Sequence, residues 1–487
     1  MDRLAADDQR GPDIGICGYG KGVLHDPDRT QLLPEAIQSR HEPDDCMSRF
    51  PPLVAGQGVD AIMGRETIFT SDASSVVFGS GATREVGQRA RNLGLKRVMV
   101  VTDPVLVKLP PVETATESLR KAGVDFEIFD QVRVEPNDAS WLAAIEFANA
   151  GQFDGFVSVG GGSTIDTAKV ANLVSTWPAD LLDYVYPPLG AGKAVPGPLK
   201  PHIAIPTTAG TGSETTGNAV FDLASAHVKT AVANRALRPT IGIVDPDNTR
   251  TMPPNVAAAS GLDVLCHALE SWTAIPFDSR EAASDPARRT VYQGANPLSD
   301  VWSARAIELG AKYLVRAVTD PDDDEARTNM MLASTAAGIG FGNAGVHLPH
   351  AMSYPISALA RNYVPEGYPD DHPIVPHGIS VILTAPAVFR WTAQANPQRH
   401  LDAAAYLGAD IRGAAPEDAG NLLADALIDI MHQVNMPNGM RAVGITEDDM
   451  DALIRGTQPQ SRLTSISPRM TDDEAYREIF SNSFDIW

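Results

Sequence analysis

The stretch GFVSVGGGSTIDTAK (155–169) decides how the rest of the chain is read. An apolar run ends in Gly160-Gly161-Gly162, and Ser163 then opens a helix-like segment. Glycine lets a phosphate approach the backbone. The free N–H groups and positive dipole at a helix start favour an anion there. Tight strand-to-helix turns also use glycine, so the triplet is weak evidence by itself. A second glycine turn, Pro206-Thr207-Thr208-Ala209-Gly210-Thr211-Gly212-Ser213-Glu214, follows another apolar run. In a parallel sheet both turns fall at the carboxyl ends of strands, where such folds bind ligands. The two together predict a nucleotide site. Asp103 ends a third run, RVMVVTD. A carboxylate there can accept both ribose hydroxyls and would repel a 2′-phosphate, which favours NAD over NADP. Its plainer alternative is a helix cap or a solvated loop carboxylate.

Around this stretch the pattern alternates. Short β-branched runs occur at 74–79, 97–102, 124–129, 153–160, 202–208 and 240–246. Helix-like segments lie between several of them, at 83–94 and 138–151, and 218–233 reads as an inserted hairpin. Continuous apolar strands separated by helices predict an α/β domain with a mostly parallel sheet covered on both faces. After residue 253 the strands stop and the period becomes helical, at 256–274, 299–318, 323–340 and 416–434. Thr446 with Asp449 three positions on is a capping-box pattern. The expected organisation is a loop-rich extension over 1–65, a dinucleotide-binding α/β domain over 66–253, and an all-helical domain over 254–487. The glycines of GPDIGICGYGKG (11–22) have no clear strand before them or helix after them, so they read as turns.

Composition narrows the function. The 487 residues hold 39 Lys and Arg against 61 Asp and Glu, a formal charge of −22. That surplus argues against a nucleic-acid or anionic-membrane surface. No run of 18 apolar residues suggests a membrane span. Three cysteines (Cys17, Cys46, Cys266) imply no disulfide framework and a reducing compartment. The start MDRLAADDQR has no apolar core of a secretory signal and is not the Arg-rich, acid-poor start of a mitochondrial presequence. A cytoplasmic homo-oligomer is expected.

A second chemical signal lies in the helical part. Asp263 and His267, four apart in GLDVLCHALESW, share one face of an apolar helix. A buried carboxylate beside a histidine needs a partner, either that histidine alone or a divalent cation. Cys266 points to another face and reads as core. Downstream, His347 and His350 lie three apart, and His372 and His377 lie five apart. One histidine from each pair would complete an N₃O site. Such a set suits Fe²⁺, Zn²⁺ or Mn²⁺ and, lacking thiolates, is not a closed structural zinc site.

In this order along the chain, GGGSTIDTAK, PTTAGTGSE, DVLCHALES and PHG resemble the iron-containing alcohol dehydrogenase family. QVRVEPND (131–138), GTGSETTG (210–217), YQGANPLSD (292–300), GIGFGNAGVHLPHAMSYPIS (338–357) and HPIVPHGISVILTAPAVF (372–389) resemble its hydroxyacid–oxoacid transhydrogenase branch. The resemblance implies a dinucleotide-binding α/β domain, a helical domain, and a metal in the cleft. It implies the ligands Asp263, His267, His350 and His377. It also implies NAD contacts at Asp103, the Gly160-Gly161-Gly162-Ser163 turn, Asp166, Thr207, Thr208, Thr211 and Lys229. Tyr354 stands where alcohol-oxidising relatives carry a second histidine. A phenol donates a hydrogen bond but is a poor base near neutrality, which favours the transhydrogenase branch over a plain alcohol dehydrogenase.

That branch implies iron as the first choice of metal and a hydride passed from 4-hydroxybutyrate to 2-oxoglutarate through bound NAD. The alternative is an NAD-dependent alcohol or hydroxyacid dehydrogenase whose cofactor exchanges freely. Acid substrates call for cations. Arg280, Arg288, Arg289 and Arg361, close in sequence to the proposed ligands, are the candidates, because arginine pairs with carboxylate bidentately. Nothing carries over from the family to the first 65 residues.

Overall fold

The computed structural model describes residues 64–226, 228–286, 289–368 and 373–487. Nearly all of the expected N-terminal extension, together with Arg288 and His372, lies outside the described residues.

A six-stranded parallel sheet forms the first half. Its strands are β1 (Ser75–Phe78), β2 (Arg97–Val101), β3 (Asp125–Phe129), β4 (Gly155–Gly160), β5 (His202–Pro206) and β8 (Ile241–Val244), in the order β1-β8-β5-β4-β2-β3. Each lies within a run expected from the sequence. β4 and β5 are buried along their whole length, which is why they read as unbroken apolar runs rather than alternating ones. The segment between β5 and β8 forms the expected antiparallel hairpin, β6 (Asn218–Leu223) with β7 (Val228–Ala233).

The chain order reverses between β2 and β4. β3 adds on one side of β2, and β4, β5 and β8 add on the other. Ligands of open α/β sheets bind at such a switch point, beyond the carboxyl ends of the strands. β4 and β5 pair in parallel with Gly160 opposite Pro206. The two glycine turns therefore leave the sheet side by side. Helices α1 (Val86–Asn92), α2 (Pro110–Ala122), α3 (Asp138–Gly151) and α4 (Gly162–Thr176) connect the strands. α3 is entered through a capping box in which Asn137 and Ser140 satisfy each other's backbone N–H groups.

From Pro254 onward the regular elements among the described residues are helices. α5 (Pro254–Thr273) starts with proline at its first position, where a missing N–H costs nothing. It packs against α6 (Pro297–Thr319) and α7 (Asp324–Ala344), and it is buried almost throughout. α8 (Leu348–Ala358) and α9 (His377–Ile382) close over it. The capping box at Thr446 and Asp449 is present, leading through a single 3₁₀ turn into the helix Met450–Thr457. No described helix is long and apolar enough to cross a membrane.

One glycine sets the distance between α9 and α5. A Cβ on Gly378 would stand 1.9 Å from the Ala259 carbonyl oxygen and 3.2 Å from the Asp263 Cβ. Only glycine lets the two backbones lie this close. Gly378→Ala is expected to cost about 1–3 kcal/mol by overpacking, read as a lower Tm in calorimetry. An unchanged Tm would show that the helices part without cost.

Candidate active site

Asp263 and His267 project from one face of α5, where the helical period brings them together. His350 comes from the first turn of α8 and His377 from the start of α9. Their ligand atoms all lie within 4.8 Å of one another. Asp263 Oδ1 is the common point. It stands 3.7 Å from His267 Nδ1, 3.5 Å from His350 Nε2 and 3.8 Å from His377 Nε2. These distances are too long for hydrogen bonds. Asp263 Oδ1, His267 Nδ1 and His350 Nε2 are buried without any hydrogen-bond partner. Four donor atoms converge on one point and leave a gap between them. A divalent cation satisfies all of them at once, and the three nitrogens and one oxygen suit Fe²⁺ or Zn²⁺.

The electrostatics favour that use at His267 and His377, whereas His350 must give up a proton to bind a cation. Burial opposes ionisation of Asp263, but the three surrounding imidazoles hold its carboxyl below the ordinary range. Burial lowers His267 to about 3 and His377 to about 4, so both keep free lone pairs at neutral pH. Burial also works against His350, yet Glu270 and Asp263 raise it to about 9. His350 Nδ1 lies 2.5 Å from Glu270 Oε1, and Glu270 Oε2 accepts a 2.6 Å bond from the His347 backbone N–H. Glu270 therefore fixes the ring so that Nε2 faces the gap. Sequence reading missed this residue. Its signal was present, since Glu270 follows His267 by three positions on the same helix. His267 is held flat by Phe341, with ring centroids 4.0 Å apart.

The remaining histidines separate cleanly. His347 is buried against Thr273 Oγ1 at 2.9 Å and does not join the cluster. Cys266 is buried in the core, where desolvation pushes its thiol up and keeps it from serving as a thiolate.

The cluster opens onto a cavity of about 430 Å³. Asp103, Gly161, Gly162, Ser163, Asp166, Thr207, Thr208, Thr211 and Lys229 line the same cavity, as does Tyr354. Gly162 opens α4 with its backbone toward the space, and a Cβ there would meet Thr211 at 2.6 Å. Gly160 stands behind the lining. Asp103 takes the local acceptor role that was its plainer alternative, and it also reaches the cavity. It lines the cavity, and its Oδ1 accepts the backbone N–H groups of Val105 and Leu106. Asp166 is occupied within the protein, by Ser213, Lys169 and the Val220 N–H. Lys229 pairs with Glu135 at 2.5 Å and stands 3.6 Å from Asp222. Glu135, in a left-handed conformation at φ 54°, also went unrecognised, as did the buried Lys169 that ties α4 to the second glycine turn.

The arginines expected to select acids are a correction. Arg289 pairs with Glu66 at 3.1 Å, and Arg361 pairs with Asp449 at 2.5 Å. Arg280 donates to Thr290. None of the three lines the cavity, and Arg288 lies outside the described residues. Closeness in sequence to the cluster did not carry them to it. Among the described residues, the arginine that lines the cavity is Arg462.

Comparison with known proteins adds independent findings. The model described as iron-containing alcohol dehydrogenase matches residues 73–246, and the C-terminal model of the Fe-containing alcohol dehydrogenase family matches 290–484. The mitochondrial hydroxyacid-oxoacid transhydrogenase of Mus musculus is 53% identical over 421 residues, covering 86% of this chain and 90% of that protein. A probable mitochondrial hydroxyacid-oxoacid transhydrogenase of Dictyostelium discoideum is 48% identical, covering 86% and 79%. Among solved structures, a 1,3-propanediol oxidoreductase superposes with a TM-score of 0.75 at 29% identity, covering 86% of this chain and all of that one. The NAD⁺ complex of sulfoacetaldehyde reductase from Bifidobacterium kashiwanohense gives 0.69 at 26%, covering 85% and 98%. The relatives' names overturn the cytoplasmic expectation, since those proteins are mitochondrial. That expectation rested on the N-terminal residues, the sparse cysteines and general composition.

Removing the carboxylate that orients His350 tests the cluster. Glu270→Gln is expected to weaken metal affinity about 10- to 100-fold, measured by competition with a chelator. His347→Asn should leave the metal content as it is. Equal losses in both variants would mean general disruption rather than a lost orienting contact.

Proposed function

The chain belongs to the iron-containing alcohol dehydrogenase family, and from that premise we propose that it is a hydroxyacid–oxoacid transhydrogenase. It is an enzyme, an oxidoreductase that uses NAD and a divalent metal. In the proposed reaction 4-hydroxybutyrate and 2-oxoglutarate become succinic semialdehyde and 2-hydroxyglutarate. One hydroxyl carbon is oxidised, one ketone carbon is reduced, and nothing else is consumed. The observation that carries the reading is the convergence of one carboxylate and three imidazoles in the cavity that the glycine turns also line.

Residues 66–253 are taken as the NAD-binding part and 254–487 as the metal-binding part. Asp263, His267, His350 and His377 would hold the metal, with iron the first choice. When bound, the metal supplies a Lewis acid for the substrate oxygen, and the nicotinamide accepts and returns hydride. The chain's own work is positioning. The N–H groups at Gly162 and Ser163, at the start of α4, would receive the diphosphate, with the helix dipole behind them. Thr208 and Thr211 shape the neighbouring wall beside Gly161 and Gly162. Asp103 would accept the adenine ribose hydroxyls with the oxygen not used by its own turn. Lys229 would stand near a ribose; burial opposes its charge, but Asp222 and Glu135 outweigh that and hold it cationic, above its ordinary range. Tyr354, one turn after His350 on α8, is buried at the cavity wall. Its hydroxyl accepts from Arg462 at 3.4 Å, which leaves its own hydrogen free to donate to a substrate oxygen.

The test uses protein desalted to remove free nucleotide. Mixing it with 4-hydroxybutyrate and 2-oxoglutarate, without added NAD, is expected to give succinic semialdehyde and 2-hydroxyglutarate in equal amounts. Turnover that requires added NAD and accumulates NADH from the hydroxyacid alone would instead identify a dehydrogenase with exchanging cofactor.

A further inference from the structure

Among the described residues, one arginine lines the cavity. Arg462 sits on the short helix Ser461–Thr464, partly buried, with its Nη1 shielded from solvent and unpartnered. Its Nη2 donates to Tyr354 Oη at 3.4 Å, and its guanidinium lies 5.1 Å from the centre of the Tyr292 ring. The phenols of Tyr354, Tyr292 and Tyr186 are the groups that act most on its charge, and among the described residues it forms no ion pair with a carboxylate. This separates it from the other cations near the site. Lys229 is matched by Glu135 and Asp222, Arg289 by Glu66, and Arg361 by Asp449. Arg280 also has unpartnered nitrogens, but it does not line the cavity and it feels the charge of Glu66.

A guanidinium nitrogen shielded from water with no anion beside it is costly, because it has lost hydration and gained no counter-charge. A ligand carboxylate repairs this by bidentate pairing. The diphosphate of a dinucleotide belongs elsewhere, at the glycine turn. Arg462 is tied instead to Tyr354, one helical turn from the cluster residue His350. We propose that Arg462 receives the substrate carboxylate that lies two methylenes from the reacting carbon. This rests on the transhydrogenase reading for the identity of the acids. In 4-hydroxybutyrate two methylenes separate the carbinol carbon from the carboxylate. In 2-oxoglutarate two methylenes separate the ketone carbon from the distal carboxylate. One anchor at one distance from the reaction centre therefore serves both halves of the cycle, and a single site can oxidise one acid and reduce the other.

The experiment uses the metal- and NAD-loaded enzyme and unreactive butyrate as the probe, by calorimetry. Butyrate should bind the wild type. Arg462→Gln should weaken it about 100-fold, as for the loss of one partner of a buried charged pair. Arg462→Lys, which keeps charge but loses the planar fork, should weaken it about tenfold. Metal content and NAD affinity should stay as in the wild type. In turnover, KM for 4-hydroxybutyrate should rise more than kcat falls, and the loss in kcat/KM should be larger for 4-hydroxybutyrate than for 1-butanol, which has no carboxylate to anchor. Butyrate affinity that is the same in wild type and variants, or absent from the wild type, overturns the proposal. So does an equal loss on butanol and the hydroxyacid, or a loss of NAD affinity. If Arg462→Gln does not fold, Arg462→Lys decides by the same readings. Loss of butyrate binding without any transhydrogenation would sink the reaction assignment and keep the anchor. Transhydrogenation with unchanged butyrate binding would do the reverse.

Discussion

A carboxylate oxygen buried under three imidazoles, with no hydrogen-bond donor of its own, is the constraint from which the rest of this site follows. Asp263 Oδ1 is shielded from water and lies 3.5–3.8 Å from the three ring nitrogens. A group in that position is tolerable only when something positive stands among its neighbours. The surrounding structure is arranged to keep the four side chains aimed at one point. α5 is buried almost completely, so Asp263 and His267 cannot turn away. Gly378 lets α9 lie on α5 closely enough for His377 to reach. Glu270 holds the ring of His350, and Phe341 holds that of His267.

The second half of the site depends on the sheet. Reversal of strand order between β2 and β4 places Asp103 and the glycine turn on either side of the switch point, and the pairing of β4 with β5 sets the second turn beside them. The helical half closes the same cavity from the other side with His267, His350, Tyr354 and Arg462. The groups proposed for the cofactor and those proposed for the metal thus face one cavity, which is what transfer over near-contact distance requires.

Much of this was legible in the sequence because local spacing encodes it. Asp263 and His267 are one helical turn apart, and the glycine turns follow fully apolar strands. The choice of His350 over His347 was not local. It depends on which histidine of a tight turn faces Asp263, and Glu270 decides that from a different helix. Arg280, Arg289 and Arg361 show the opposite failure. They lie near the cluster in sequence, but each is held by groups outside the cavity. Arg462 lies far along the chain from every motif, and it reaches the cavity only through the packing of its short helix against α8. Charge type and sequence distance cannot show whether a cation already has a partner. That is a tertiary fact.

X-ray absorption at the metal edge of the loaded protein tests the central claim most directly. The account predicts a shell of nitrogen and oxygen only, with the multiple scattering of about three imidazole rings. A sulfur neighbour, which would bring in Cys266, or a shell with a single imidazole, would contradict it.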